Sequence, residues 1–425
     1  MSGTIRVDDE LMGKLAKNTF FLYALTAANY LFGLATIPYI SRILGPSIFG
    51  NLGFAMAFGA YFSLIIDFGF ILSATKKVTM FADDKLELSK IFSAVTFIKL
   101  SFALIVFIAL AVSRYMISEI ANNFALLTLF LILSALTSLL PDYIYMGLEN
   151  MKIIAIRGVA IKAIFVSLIF VCLKSPEQVY FVPLFQIIGS IIVIIWIYFD
   201  LHKNQNIKFT KTTLRYLITI IKDSAPYFLS RIASSVYNFC NTIILGFIYP
   251  GKAVVGYYTS ADKFRSLAQQ GCSPVADSFY PYMIRTKDYK KLLRTVLILE
   301  IPIIIILAIC FIWSDEICII AFGKEYLGSS ELLRWMIPIM ALTLPQYMFG
   351  FPALTPIGKA KWANISVEIA TVNQIGGLII LFITDSVSAI NLCILTTISE
   401  IICLSIRIAT LVANKKLLKN EPKTF

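Results

Sequence analysis

The chain has 425 residues, 58% hydrophobic and 15% charged, with a mean hydropathy of +0.82. A soluble domain carries about 25% charged residues, so the deficit excludes an ordinary soluble protein; long apolar runs point to membrane helices, since a β-barrel would alternate in segments of about ten residues. The net charge of +12 would suggest nucleic acid in a soluble protein, but here the basic residues sit between apolar runs, as topogenic charge does, and no nucleic-acid partner is expected.

Residues 5–17 place Ile5, Leu11, Met12 and Leu15 near one helical face beside Lys14 and Lys17, which predicts a short interfacial helix. Asp8, Asp9 and Glu10 precede the first apolar run and no small-residue cleavage site follows it, so no cleaved signal peptide is expected. The runs then fall near 18–41, 50–75, 90–112, 122–147, 152–173, 179–200, 224–249, 254–281, 293–313, 332–353, 362–384 and 388–412. That predicts an all-α polytopic membrane protein of about twelve spans, each near the twenty residues a bilayer needs.

Lysine and arginine alternate between loops. One side collects Lys76, Lys77, Lys152, Arg157, Lys203, Lys208, Lys222, Arg285, Lys291, Lys359, Lys361 and the tail lysines; the other has about one per loop, as at Arg42, Arg114, Lys174, Lys252 and Lys324. The positive-inside rule then places both termini in the cytoplasm. The longest loop lies halfway along the chain, which divides it into an N-terminal lobe over 1–200, a cytoplasmic linker over 201–223 and a C-terminal lobe over 224–425. An internal repeat agrees with that division. Thr36, Gly45 and Gly50 recur as Thr242, Gly251 and Gly256, and Pro141-Asp-Tyr-Ile-Tyr recurs as Pro345-Gln-Tyr-Met-Phe. Paired repeats of like orientation are a transporter design.

Charged residues inside a span cost about 2.5–3.5 kcal/mol on insertion scales, so each needs a partner, a wet cavity or a short reach to the interface. Lys99 and Lys162 fall near the middle of the third and fifth spans, Lys263 and Arg265 midway along the eighth, and Arg231 about two turns into the seventh. Two readings stand side by side. The five basic residues line a cavity for an anionic headgroup, or they form an internal ion-pair network with acids such as Asp67, Asp142, Glu300, Glu368 and Glu400. The acids serve as charge partners or as carriers of a coupling proton or cation. Asp262 and Arg265, three apart on one helix, can pair with each other. Asp142 and Arg407 lie close enough to the edge to cap or snorkel. Arg42, Gly45 and Gly50 build the turn of the first hairpin and read as an outer gate.

The seven cysteines are scattered without a CxxC and read as small buried hydrophobes; His202 ends a span among lysines. No metal ligand set, cofactor motif or catalytic constellation is present in the sequence, so a transporter rather than an enzyme is expected.

Arg42-Ile-Leu-Gly-Pro-Ser-Ile-Phe-Gly50 resembles the first-hairpin motif of the Wzx-type polysaccharide-repeat flippases, and Asp67-Phe-Gly-Phe-Ile-Leu-Ser-Ala-Thr75 resembles their second-span motif. Gly147-Leu-Glu-Asn-Met-Lys152, Gly256-Tyr-Tyr-Thr-Ser-Ala-Asp-Lys263 and Gly323-Lys-Glu-Tyr326 are similar to three further segments, in family order. Ile71 stands where asparagine is common in that family and Lys76 where arginine is. The resemblance implies the multidrug/oligosaccharidyl-lipid/polysaccharide exporter fold, two six-helix lobes around a central cavity. It implies a substrate, an undecaprenyl-pyrophosphate-linked oligosaccharide (an O-antigen repeat unit), moved from the cytoplasmic to the periplasmic leaflet of a bacterial inner membrane by alternating access. Membrane lipids and polysaccharide polymerase machinery are the further partners it implies. The rivals are a cation-coupled drug exporter of the same fold, a lipid II flippase, and a membrane polymerase or ligase. A drug exporter would favour an acidic cavity, a lipid II flippase carries about two more spans than this length allows, and a polymerase needs a large periplasmic loop that is missing here.

Overall fold

In a computed structural model, the backbone is described for residues 2–415, and side chains from residue 25 to 415 except 29, 230 and 233–239. The amphipathic face over 5–17 and the tail lysines Lys416, Lys419 and Lys423 lie outside the described residues. The described chain is helical. In order the helices are α1 (Ser2–Asp67), α2 (Phe70–Met80), α3 (Lys85–Ser113), α4 (Ser118–Asn122), α5 (Phe124–Leu139), α6 (Asp142–Gly147), α7 (Met151–Cys172), α8 (Phe181–Lys203), α9 (Leu214–Ile248), α10 (Ala253–Thr286), α11 (Tyr289–Ile312), α12 (Ser314–Phe322), α13 (Gly328–Phe349), α14 (Phe351–Leu354), α15 (Ala360–Ile383) and α16 (Ala389–Ala413).

Among the described residues, nine helical stretches are long and apolar enough to cross a membrane. The first, Leu25–Met80, takes in both of the first two apolar runs. α10 is long enough but is not one of the nine, because Asp262, Lys263, Arg265 and Asp277 lower its apolar character. Spans turn large apolar side chains outward; α11, for example, exposes Ile301, Ile304, Ile305 and Ile312. Such a face is stable against lipid and not against water.

The chain forms two compact units. Unit 1 takes residues up to Leu44 and Phe54–Ile232; unit 2 takes Gly45–Gly53 and the chain from Ala233. Unit 1 is built on a core of Phe70, Ile91, Val95, Tyr143, Ile144 and Ile197. The segment between α8 and α9 belongs to that core through Ile207, and its backbone is held by α3: the Lys208 and Thr210 amides donate to the Ser89 and Ser93 hydroxyls at 3.1 and 2.8 Å. Unit 2 has two clusters. One gathers Val255, Tyr258, Leu333, Met336 and Leu392, the other Met283, Leu292, Leu344, Met348 and Leu354.

Gly45–Gly53, the turn of the first hairpin, packs within unit 2. Gly45 interrupts α1 with φ +67°, and Gly251, its counterpart in the repeat, has the same φ of +67°. A left-handed φ is open to glycine without a Cβ penalty. The second aligned pair, Gly50 and Gly256, meet directly: a Cβ on Gly50 would sit 2.7 Å from the Gly256 nitrogen. A Cβ on Gly256 would overlap the Pro46 carbonyl, and one on Gly53 the Thr259 side chain. The obstacle at Gly256 is backbone, which cannot rotate away. Gly256→Val is therefore expected to lower stability by about 1–3 kcal/mol, read as an earlier thermal transition of the detergent-purified protein. Gly271→Ala, where a Cβ meets nothing within 4 Å, is the control that should melt with the native chain.

Candidate functional site

Unit 1 contains two broken spans. α1 ends at Asp67 because Phe68 (φ 41°) and Gly69 (φ 77°) both turn left-handed before α2 begins. Phe68 is a bulky residue in a region such side chains avoid. It is held there by stacking on Phe228 at 4.3 Å and by Phe102 at 5.1 Å. The second break lies between α5 and α6, where Leu140 is extended before Pro141. The Asp142 amide bonds to the Leu140 carbonyl, so the Ser138 carbonyl loses its helical partner.

Lys99 closes both breaks. Its Nζ donates to Asp67 Oδ1 at 3.0 Å and to the Ser138 carbonyl, and lies 5.7 Å from the centre of the Tyr143 ring. The Tyr198 hydroxyl donates to the neighbouring orphan, the Leu139 carbonyl, at 3.1 Å. The physical need is plain. A carboxylate at a helix C-terminus opposes the dipole, and a buried carbonyl without a donor is costly. One ammonium answers both. Lys99 is 5% exposed, so its charge is spent inside unit 1.

Asp142 opens α6, where the helix dipole favours an acid. It takes a bidentate pair from Arg157, with Nη2 to Oδ2 at 2.6 Å. The sequence grouped Arg157 with the topogenic loop charges. The structure buries it instead, because a planar guanidinium fits a carboxylate in two bonds. Lys162 is half-buried on α7 with no hydrogen bond or ion pair among the described residues. Arg231 lies half-buried on α9 and has interactions of its own.

In unit 2, Arg265 is buried and its Nε donates to Asp262 Oδ1 at 2.6 Å. Lys263, between them in sequence, is half-buried and has no hydrogen bond or ion pair among the described residues. The local balance of this trio is one positive charge. Glu300 on α11 is half-buried, with its Oε2 enclosed and without a hydrogen-bond partner among the described residues; Glu368 on α15 is exposed. Arg42 is exposed and partnered. Arg407, which the sequence allowed to snorkel, is buried. Its Nε donates to Ser366 Oγ at 2.9 Å, Nη1 to the Gln346 carbonyl and Nη2 to the Ala363 carbonyl at 3.4 Å. It thereby joins α13, α15 and α16 beside a cavity of about 540 Å³ that Tyr280 and Tyr347 also line.

The predicted cationic set is thus divided. Lys99, Lys162 and Arg231 belong to unit 1, Lys263 and Arg265 to unit 2. Lys99 and Arg265 have carboxylate partners; among the described residues Lys162 and Lys263 have no ion pair, though Asp262 lies next to Lys263 in sequence. Unit 2 also holds a buried polar network of uncharged side chains, which the pattern of charged residues does not reveal. The Asn241 amide donates to the Tyr258 hydroxyl at 3.0 Å and to Thr396 at 2.9 Å. Gln374 donates to Asn241 at 3.1 Å, and Ser399 to Gln374 at 3.0 Å. Asparagine and glutamine inside apolar runs were the available signal. Outside the spans, Asp315 bonds Arg334 at 3.0 Å, and its carboxyl is held below the usual range, first by the Ser330 hydroxyl and then by that guanidinium, against the opposing effect of burial.

Residues 15–287 match the family described as polysaccharide biosynthesis protein. A Shigella dysenteriae protein designated an O-antigen transporter is 30% identical over 352 residues, covering 82% of this chain and 88% of that one. A second, from Escherichia coli K12, is 27% identical over 67% of this chain and 68% of its own. Among solved structures, an inward-facing multidrug resistance MATE family transporter of the MOP superfamily overlays with a TM-score of 0.68 at 16% identity, covering 91% of this chain and 95% of that one. The lipid II flippase MurJ overlays at 0.61 and 17% identity, covering 92% and 89%. At these identities the likeness is one of fold.

Proposed function

Because the chain belongs to the polysaccharide biosynthesis protein family, with the fold of the MOP transporters, we propose that it is a flippase for a lipid-linked oligosaccharide. The cargo is an O-antigen repeat unit on a polyprenyl diphosphate. It moves from the cytoplasmic to the periplasmic leaflet of a bacterial inner membrane, with both termini of the protein in the cytoplasm. The observation that carries this reading is the relationship at 30% identity across 82% of the chain to a protein designated an O-antigen transporter. The half-buried ammonium group of Lys162, without an ion pair or hydrogen bond among the described residues, supports it, as does the net positive charge of the Asp262, Lys263 and Arg265 trio, since surplus positive charge within a span is costly unless an anion uses it. A drug exporter for cations gains nothing from such groups.

In this reading Arg231 and Lys162 of unit 1, and separately Lys263 of unit 2, are candidate phosphate contacts, each argued within its own unit. Lys99 and Arg265 keep their own carboxylates: Lys99 bridges separate helices, and Arg265 pairs with Asp262 within α10. Glu300, with an enclosed oxygen that has no hydrogen bond among the described residues, is the coupling acid; Asp67 and Asp142 serve as charge partners.

Arg231→Gln/Lys263→Gln, expressed in a strain lacking the native gene, is expected to abolish surface glycan while the protein inserts at normal levels. Lipid-linked repeat units should then accumulate in the inner leaflet. Normal surface glycan from a correctly inserted double variant would sink the assignment of these two residues.

A further inference from the structure

We propose that unit 1 binds the phosphate headgroup of a membrane lipid in a recess between the end of α2 and the start of α9. The recess holds about 530 Å³ and is lined by Ser73, Lys76, Lys77, Lys222, Asp223 and Tyr227, with Met80, Phe81 and Pro226 at its apolar side. That size is within the range of small-ligand pockets, about 300–1,000 Å³.

The charge balance favours an anion. Three lysines meet one aspartate. Lys77 is bonded to Asp223 at 2.8 Å and faces the Tyr216 ring at 5.9 Å, so that pair is already satisfied. Lys76 and Lys222 are exposed and have no ion pair or hydrogen bond among the described residues. Two uncompensated ammonium groups therefore serve one recess, and both stand on helices. The floor is rigid: the Ser73 and Ser224 hydroxyls are 2.6 Å apart and buried. A Cβ on Gly69 would come within 2.9 Å of the Phe228 nitrogen, so α9 lies directly on the break before α2.

Purely topogenic lysines need no recess and no apolar neighbour. Here Met80 and Phe81 are 67% and 41% exposed next to the cations. A basic group beside exposed apolar side chains at the end of a span matches a lipid, whose phosphate sits at the surface and whose chains lie below it. Lysines at the end of a span are drawn to the phosphates of an anionic leaflet. A resident phospholipid and an arriving polyprenyl diphosphate share that chemistry.

The full-length protein in phosphatidylcholine nanodiscs, doped separately with phosphatidylglycerol and with a sugar-free polyprenyl diphosphate, would be released into native mass spectrometry. The wild type should retain at least one of the two doped lipids, and Lys76→Gln/Lys222→Gln should retain at least tenfold less at an unchanged melting temperature. Lys359→Gln/Lys361→Gln, a basic pair elsewhere, should retain wild-type amounts, and millimolar inorganic pyrophosphate should displace the lipid. Preference for phosphatidylglycerol supports the site as one for a resident lipid, and preference for the polyprenyl diphosphate supports it as one for cargo. Equal retention by the Lys76/Lys222 variant, equal loss from the Lys359/Lys361 control, or failure of pyrophosphate to compete would each overturn it.

Discussion

Lys99→Met destabilises the protein by about 3 kcal/mol, read as an earlier thermal transition and raised hydrogen exchange at residues 64–72 and 138–144. The methionine keeps most of the side-chain volume and removes the ammonium. Asp67 and the Ser138 carbonyl then lose their shared donor at two helix breaks. Removing one member of a buried pair costs about 3–5 kcal/mol. The lower end applies, since the Asp67 side chain keeps 29% of its surface. Asp67→Asn should cost a comparable amount, about 3 kcal/mol, because it leaves the more deeply buried Lys99 ammonium without a counter-charge, even though an amide oxygen and the Ser138 carbonyl still accept from it. The two substitutions share a contact, so their effects should not add. A Lys99→Met protein as stable as wild type would refute this account of the breaks.

The second large effect is expected at Arg407. Arg407→Met removes the donors to Ser366, the Gln346 carbonyl and the Ala363 carbonyl. Each buried acceptor left alone costs about 1–3 kcal/mol, so a net loss near 3 kcal/mol is expected after some acceptors find water in the adjoining cavity. The damage should be local. Hydrogen exchange should rise across 346–357, where α13 gives way to α14, while α3 and α5 of unit 1 stay protected. Arg407→Lys should fall between the two, because an ammonium cannot span three acceptors that a planar guanidinium reaches. Uniform loss of protection through both units would contradict the local role.

Proline content alone did not locate the broken spans. Pro141 does mark the α5–α6 break. Pro226, Pro274, Pro302, Pro338 and Pro345 all lie inside helices that continue past them. The break at Asp67–Phe68–Gly69 contains no proline, and the sequence places Asp67 deep inside one apolar run. Its cause is distant in the chain: Lys99 supplies the charge and Phe228 the stacking surface. Equally, the sequence pattern puts Arg157 among the loop charges, and only the fold brings Asp142 against it.

The glycines were more legible. Gly45 and Gly251 were matched by spacing, and both take φ +67°. A left-handed turn is a local demand that one residue type meets, so it leaves a mark at a fixed position. That Gly50 and Gly256 would then touch each other was not readable, since spacing carries no information about which faces meet.

By itself the sequence determined that this is a helical membrane protein with alternating loop charge, because hydropathy and topogenic charge act on each segment separately. Only the tertiary structure decided which cations are neutralised. Lys99, Arg157 and Arg265 are ion-paired with carboxylates, whereas Lys162 and Lys263 make no ion pair among the described residues. A buried charge is governed by what lies within a few ångströms, and that depends on how each helix is rotated, a quantity no single apolar run contains.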